Sequence, residues 1–186
     1  MEYKNVIENK TFDEERALYN LKDTEVINCT FAGKQDGESV LKETRNISVK
    51  DCAFSLRYPL WHAKKYELIH STFDEKTRAP IWYSDDGLIE NCDLKGIKLL
   101  RECNHTEIKN SNIDSPEFGW KCNDICMEDT DLAFEYSEVE ADIKGNVVSI
   151  KNPKSGNIIV DSVGEIINED SIMEVKGKVV IRNKNE

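Results

Sequence analysis

The sequence predicts an all-β chain wound into a parallel β-helix, a solenoid of about seven or more coils with terminal caps. Three observations carry that prediction. A six-residue phrase recurs: an apolar anchor, two further residues, a small residue, one more, then a bulky apolar residue. It reads Val26-Ile27-Asn28-Cys29-Thr30-Phe31 and starts again at Val49, Leu68, Ile89, Ile108 and Met127. The small residues, Cys29, Cys52, Ser71, Cys92, Ser111 and Thr130, lie 23, 19, 21, 19 and 19 positions apart, the period of a solenoid turn. Seven residues before each anchor stands an aromatic or cationic residue, so a second column repeats in the same phase.

The elements follow in chain order. At the N-terminus, Thr11-Phe12-Asp13-Glu14-Glu15-Arg16 is expected to start a short helix or to cap the first coil. Within each phrase, strict alternation would send the residue before the small one inward, yet it is Asn28, Asp51, His70, Asn91, Asn110 or Asp129. The chain is therefore expected to bend there, because Asn and Asp tolerate left-handed backbone and bond their own main chain. Two short strands with such a corner, stacked coil on coil at about 4.8 Å, pile like residues into ladders.

A second strand is expected upstream of each phrase. Its inward column is Leu18, Leu41, Leu60, Ile81, Leu100 and Gly119, and its outward column Tyr19, Lys42, Trp61, Trp82, Arg101 and Trp120. Tyr136, placed before Ile143 at a shorter step of 16, extends the outward stripe to a seventh coil. Seven coils make a stripe about 29 Å long at ladder spacing. Past Val148 the register loosens, Asn152–Asn157 reads as a turn, and Met173–Ile181 reads as a hairpin covering the open end. The expected organisation is one domain over 1–186: N-terminal cap and first coil over 1–25, regular coils over 26–148, irregular C-terminal coils and cap over 149–186.

Composition limits function more than it assigns it. With 39% hydrophobic and 33% charged residues among 186, the chain is expected to fold and stay soluble. A net charge of −11 argues against nucleic acid or an anionic membrane as a partner of the whole body. The start, Met1-Glu2-Tyr3-Lys4-Asn5, lacks a signal-peptide pattern, so a cytoplasmic location is expected. Three of the six cysteines share the small-residue column with Ser71, Ser111 and Thr130, which asks for small volume rather than thiolate chemistry. No metal and no cofactor is expected, and Asp85-Asp86-Gly87 reads as a turn. His70 and His105 read as corner and loop residues rather than ligands.

Several phrases resemble one uncharacterised bacterial family. They are Glu15-Arg16-Ala17-Leu18-Tyr19, Tyr58-Pro59-Leu60-Trp61-His62, Gly96-Ile97-Lys98-Leu99-Leu100-Arg101-Glu102, Ser115-Pro116-Glu117-Phe118-Gly119-Trp120-Lys121 and Asp131-Leu132-Ala133-Phe134-Glu135-Tyr136-Ser137. The family is a domain of unknown function with a pectate-lyase-like, single-stranded right-handed parallel β-helix. The resemblance thus implies handedness and fold, and supplies no catalytic residue. Its members look longer, with extra coils between Ile125 and Cys126. This chain resembles a shortened member from which whole coils were removed in phase, since the anchor spacing of 19 survives the junction.

Chemistry is sought on the outward stripe. Flat rings stack on sugars, and Arg or Lys between them holds carboxylates, so Tyr19, Lys42, Trp61, Trp82, Arg101, Trp120 and Tyr136 are the candidate ligand-binding residues for a glycan or acidic sugar. Beside them run Glu43, His62, Tyr83, Glu102, Lys121 and Ser137. His62, Arg101, Glu102 and Lys121 are the candidate catalytic groups, with Arg101 and Lys121 or Lys98 as cation and base of a lyase step, or Glu102 and Glu117 as glycosidase carboxylates. The competing reading is a non-catalytic scaffold whose stripe stacks on itself or meets another protein. Oligomeric state is open at this level.

Overall fold

The computed structural model describes residues 2–33 and 38–132 in full, and the backbone of residues 133, 142–151, 158–160, 163–167 and 179–181. Each turn contributes a longer strand, an Asx corner and a shorter strand. The longer strands are β1 (Asn5–Glu8), β3 (Lys22–Ile27), β5 (Arg45–Lys50), β7 (Lys64–Ile69), β9 (Asp85–Glu90) and β11 (Asn104–Lys109). The shorter ones are β2 (Thr11–Phe12), β4 (Thr30–Ala32), β6 (Ala53–Ser55), β8 (Thr72–Phe73), β10 (Asp93–Lys95) and β12 (Asn112–Asp114). In the seventh turn β13 (Asn123–Ala133) spans both positions, and β14 (Asp142–Lys151), β15 (Ile158–Val160), β16 (Val163–Ile167) and β17 (Val179–Ile181) extend the wound sheet. All pairings are parallel, so the chain is the predicted parallel β-solenoid.

Register explains the core. Ile7, Val26, Val49, Leu68, Ile89, Ile108 and Met127 are vertical neighbours. So are Phe12, Phe31, Phe54, Phe73, Leu94, Ile113 and Leu132. From the second turn onward both columns are buried; the phenyl rings of Phe12, Phe31 and Phe54 stack at 5.2 and 4.7 Å, and Phe73 meets Phe54 edge-on at 5.0 Å. Burying one such side chain contributes about 1.5–3 kcal/mol, and the six buried members of each column repeat that gain at each rung.

The corner forms as expected. Asn28, Asp51, His70, Asn91, Asn110 and Asp129 all have φ between 46° and 54°. The buried residue that follows is small for a further reason. Its side chain donates to the carbonyl two residues earlier, as Ser71 Oγ does to Ile69 (2.9 Å) and Ser111 Oγ to Lys109 (2.7 Å). It also accepts from the coil before: the Cys52 amide donates to Ser71 Oγ (3.1 Å), the Cys92 amide to Ser111 Oγ (3.1 Å) and the Cys29 amide to Cys52 Sγ (3.4 Å). Cys, Ser and Thr interchange because each is a small group that both donates and accepts.

Four expectations are corrected. The first turn begins at β1, with Ile7-Glu8-Asn9-Lys10-Thr11-Phe12 as a seventh copy of the phrase; Thr11–Phe12 is strand, so no helix starts there. Among the described residues the second strand is reduced to isolated parallel bridges, Trp82 to Arg101 and Arg101 to Trp120. Leu41, Leu60, Ile81 and Leu100 have φ of 54–58°, and Glu43, His62, Tyr83 and Glu102, two positions on, 51–59°, so this stretch is an arc with left-handed backbone at alternate residues. Asp85-Asp86-Gly87 and His105 lie in β9 and β11, because Asp86 and His105 belong to a column of left-handed bulge residues inside the strands. Ile143 pairs with Ile125 and Gly145 with Met127, so Ile143 is two places before the anchor column. Val179–Ile181 pairs parallel with β15, while 173–178, the rest of the expected hairpin, lie outside the described residues.

Candidate functional site

The arc places the stripe. Its inward residues, Leu41, Leu60, Ile81 and Leu100, donate their amides to the previous coil, at Ala17, Val40, Pro59 and Pro80 (2.9–3.2 Å). The residues two places on, Glu43, His62, Tyr83 and Glu102, donate to the next coil, to the carbonyls of Trp61, Trp82, Arg101 and Trp120 (2.8–2.9 Å). Each stripe residue is thus held by its own carbonyl from the coil before. Left-handed geometry disfavours Leu and Ile by roughly 1–2 kcal/mol per residue, offset here by burial of the side chain and by the inter-coil bond.

Lys42, Trp61, Trp82, Arg101 and Trp120 form one continuous stack. The indoles of Trp61 and Trp82 lie 5.1 Å apart and 7° from parallel. Lys42 Nζ sits 5.8 Å from the Trp61 ring centre, and the Arg101 guanidinium lies between Trp82 (4.7 Å) and Trp120 (4.1 Å). Both inner indoles are fixed by their N–H groups, Trp61 Nε1 donating to Ala79 O (2.6 Å) and Trp82 Nε1 to Lys98 O (2.7 Å). Tyr83 stands edge-on to both indoles, and Tyr58 packs at 4.9 Å against Trp61. Tyr19 heads the column, its hydroxyl donating to Glu43 (2.9 Å); that bond to a carboxylate raises the phenol's pKa. Tyr136 and Ser137 lie outside the described residues.

The candidate catalytic groups are drawn into the same structure. His62 stacks on Tyr83 at 5.0 Å, and Tyr83 separates it from Glu102 by two coils, about 10 Å at ladder spacing. Arg101 Nε donates to Glu102 (3.2 Å), Lys98 pairs with Glu117 (3.3 Å), and Lys121 Nζ lies 4.3 Å from the Trp120 ring centre. The carboxylate that would take a proton is therefore bonded to the cation that would hold the substrate. Among the described residues no group of three or more His, Cys, Asp or Glu is placed to hold a metal ion. Sequence reading missed Tyr58 and the indole N–H bonds; Tyr58 precedes the inward Leu60 by two places, a column without repeated aromatics.

These features define a β-solenoid with an external ladder of stacked aromatic and cationic side chains. The chain belongs to the family described as "Protein of unknown function (DUF3737)", which matches it over residues 5–130 and again over 123–181. The changeover falls at 123–130, across the Ile125–Cys126 junction, and there β13 pairs with β11 in the register of the preceding turns. A chain shortened by whole coils requires that continuity. Comparison with curated proteins and with solved structures finds no match.

Proposed function

We propose that this protein is a non-catalytic solenoid scaffold that meets a partner protein through the aromatic and cationic wall. The observation that supports this is the use of the ring faces. Trp61 carries Lys42 and Trp82 against its ring, Trp82 carries Trp61 and Arg101, and Trp120 carries Arg101 and Lys121. Sugar recognition by stacking needs an open ring face, whereas the ring faces of this wall carry neighbouring side chains. Acid–base catalysis needs a proton acceptor free to reach substrate, and Glu102 is held by Arg101.

The carbohydrate-binding or carbohydrate-modifying reading rests on the same stripe and is separated by one titration. Neutral oligosaccharides and oligogalacturonates are added while tryptophan fluorescence is followed. The scaffold reading expects no saturable change at millimolar sugar. A saturable change that disappears in Trp61→Ala would replace it with the carbohydrate reading.

A further inference from the structure

We infer that Arg101 is a preorganised carboxylate receptor, and that the wall around it docks an acidic, extended peptide segment of a partner protein. This rests on the scaffold reading and gives its partner a chemistry. A free arginine side chain loses rotamer freedom when it binds. Arg101 has lost most of it already, because its guanidinium is clamped between two indoles and Nε is tied to Glu102. Trp82, one half of the clamp, is itself fixed by its bond to Lys98 O and its stack on Trp61. Among the described residues its two terminal amino groups have no hydrogen-bond partner, and the side chain is 31% exposed. Two parallel N–H donors on a rigid plane match a carboxylate bidentately.

The charge around the clamp points the same way. Arg78, in the coil of Trp82, is exposed, and Lys98 and Lys121 flank Arg101, against the carboxylates of Glu102 and Glu117. Among these described residues cations outnumber acids, on a chain whose net charge is −11. A local field of sign opposite to the rest of the molecule selects a small acidic segment and repels a large polyanion such as nucleic acid. The described stripe, Tyr19 to Trp120, spans five coil steps, about 24 Å, the length of roughly seven extended residues.

The test uses the whole chain and a fluorescein-labelled heptaglutamate, with heptaglutamine as control, read by anisotropy at low salt. Wild type is expected to bind heptaglutamate saturably and heptaglutamine not at all. Arg101→Lys keeps the charge but loses the planar fork, and is expected to weaken binding about fivefold or more. Lys22→Gln, on the separate strand β3, removes a charge and is expected to change binding less than twofold; circular dichroism checks that both variants fold. No saturable binding by wild type, or equal affinity in Arg101→Lys, overturns the receptor. Oligogalacturonate displacing the peptide at lower concentration than unlabelled heptaglutamate overturns the peptide as occupant. Neither result depends on the fluorescence titration that tests the scaffold reading.

Discussion

Gly87 shows how one residue sets the volume of a rung. It occupies the column of Ile47, Tyr66, Thr106 and Ile125, and a Cβ on it would overlap the ring of the fully buried Tyr66 in the preceding coil. The large ring and the missing side chain are one adaptation spread over two coils. Gly87→Ala is therefore expected to destabilise the fold by about 1–3 kcal/mol in urea denaturation, and Tyr66→Leu in the same chain to recover part of the loss. An unchanged midpoint in Gly87→Ala would remove this account. The sequence held the clue only obliquely, because Asp85-Asp86-Gly87 has turn composition. What decides the matter is the bulk one coil away, invisible to any local window. The small-residue column was legible as a demand for volume, while its second demand, a group that donates and accepts, emerges only when neighbouring coils are seen bonding through it.

At the scale of the element, corner and arc solve the same problem with different residues. Both need left-handed backbone. The corner recruits Asn, Asp and one His, which adopt it readily, so it was readable from composition. The arc instead places Leu, Ile, Glu and Tyr there, residues whose local preference argues for strand, and the expected second strand was accordingly wrong. Tertiary hydrogen bonding overrides propensity, yet alternation of inward and outward side chains survives, which is why the stripe could be read despite the wrong backbone. At the corner, Asn91→Gly is expected to be nearly neutral and Asn91→Val to cost about 1–2 kcal/mol, measured as a difference in thermal unfolding midpoint. Equal midpoints for the two variants would mean that the corner tolerates any backbone preference.

For the whole molecule, stacking turns identical rungs into a shared dependence on pH. Burial pushes the Cys52 thiol up to about 12 and the Cys92 thiol up to about 11, from an ordinary value of 9.0. Above pH 9 the unfolded chain releases protons that the folded chain keeps. The stability these groups contribute is thus complete below about pH 9 and lost as pH rises towards 11–12. The double variant Cys52→Ser, Cys92→Ser, which copies Ser71 and Ser111, is expected to lose less stability than the parent between pH 8 and pH 10.5. Urea midpoints at the two pH values measure it, and equal losses would count against thiol burial as the cause. The solenoid, its period and the membership of the stripe were legible because a repeat states each position several times over. The copy of the phrase in the first turn is obscured because Lys10 stands where later turns keep Cys, Ser or Thr, although Asn9 and Phe12 keep their places.

That exposed Lys10 also bears on polymerisation. A wound sheet is a template at its terminal rung, and another molecule laid on β1 and β2 would enclose whatever the end rung presents. Enclosing an unpaired ammonium group would cost several kcal/mol, more than a few main-chain bonds return. An exposed ammonium group at this rung therefore opposes the laying of a second molecule on β1 and β2.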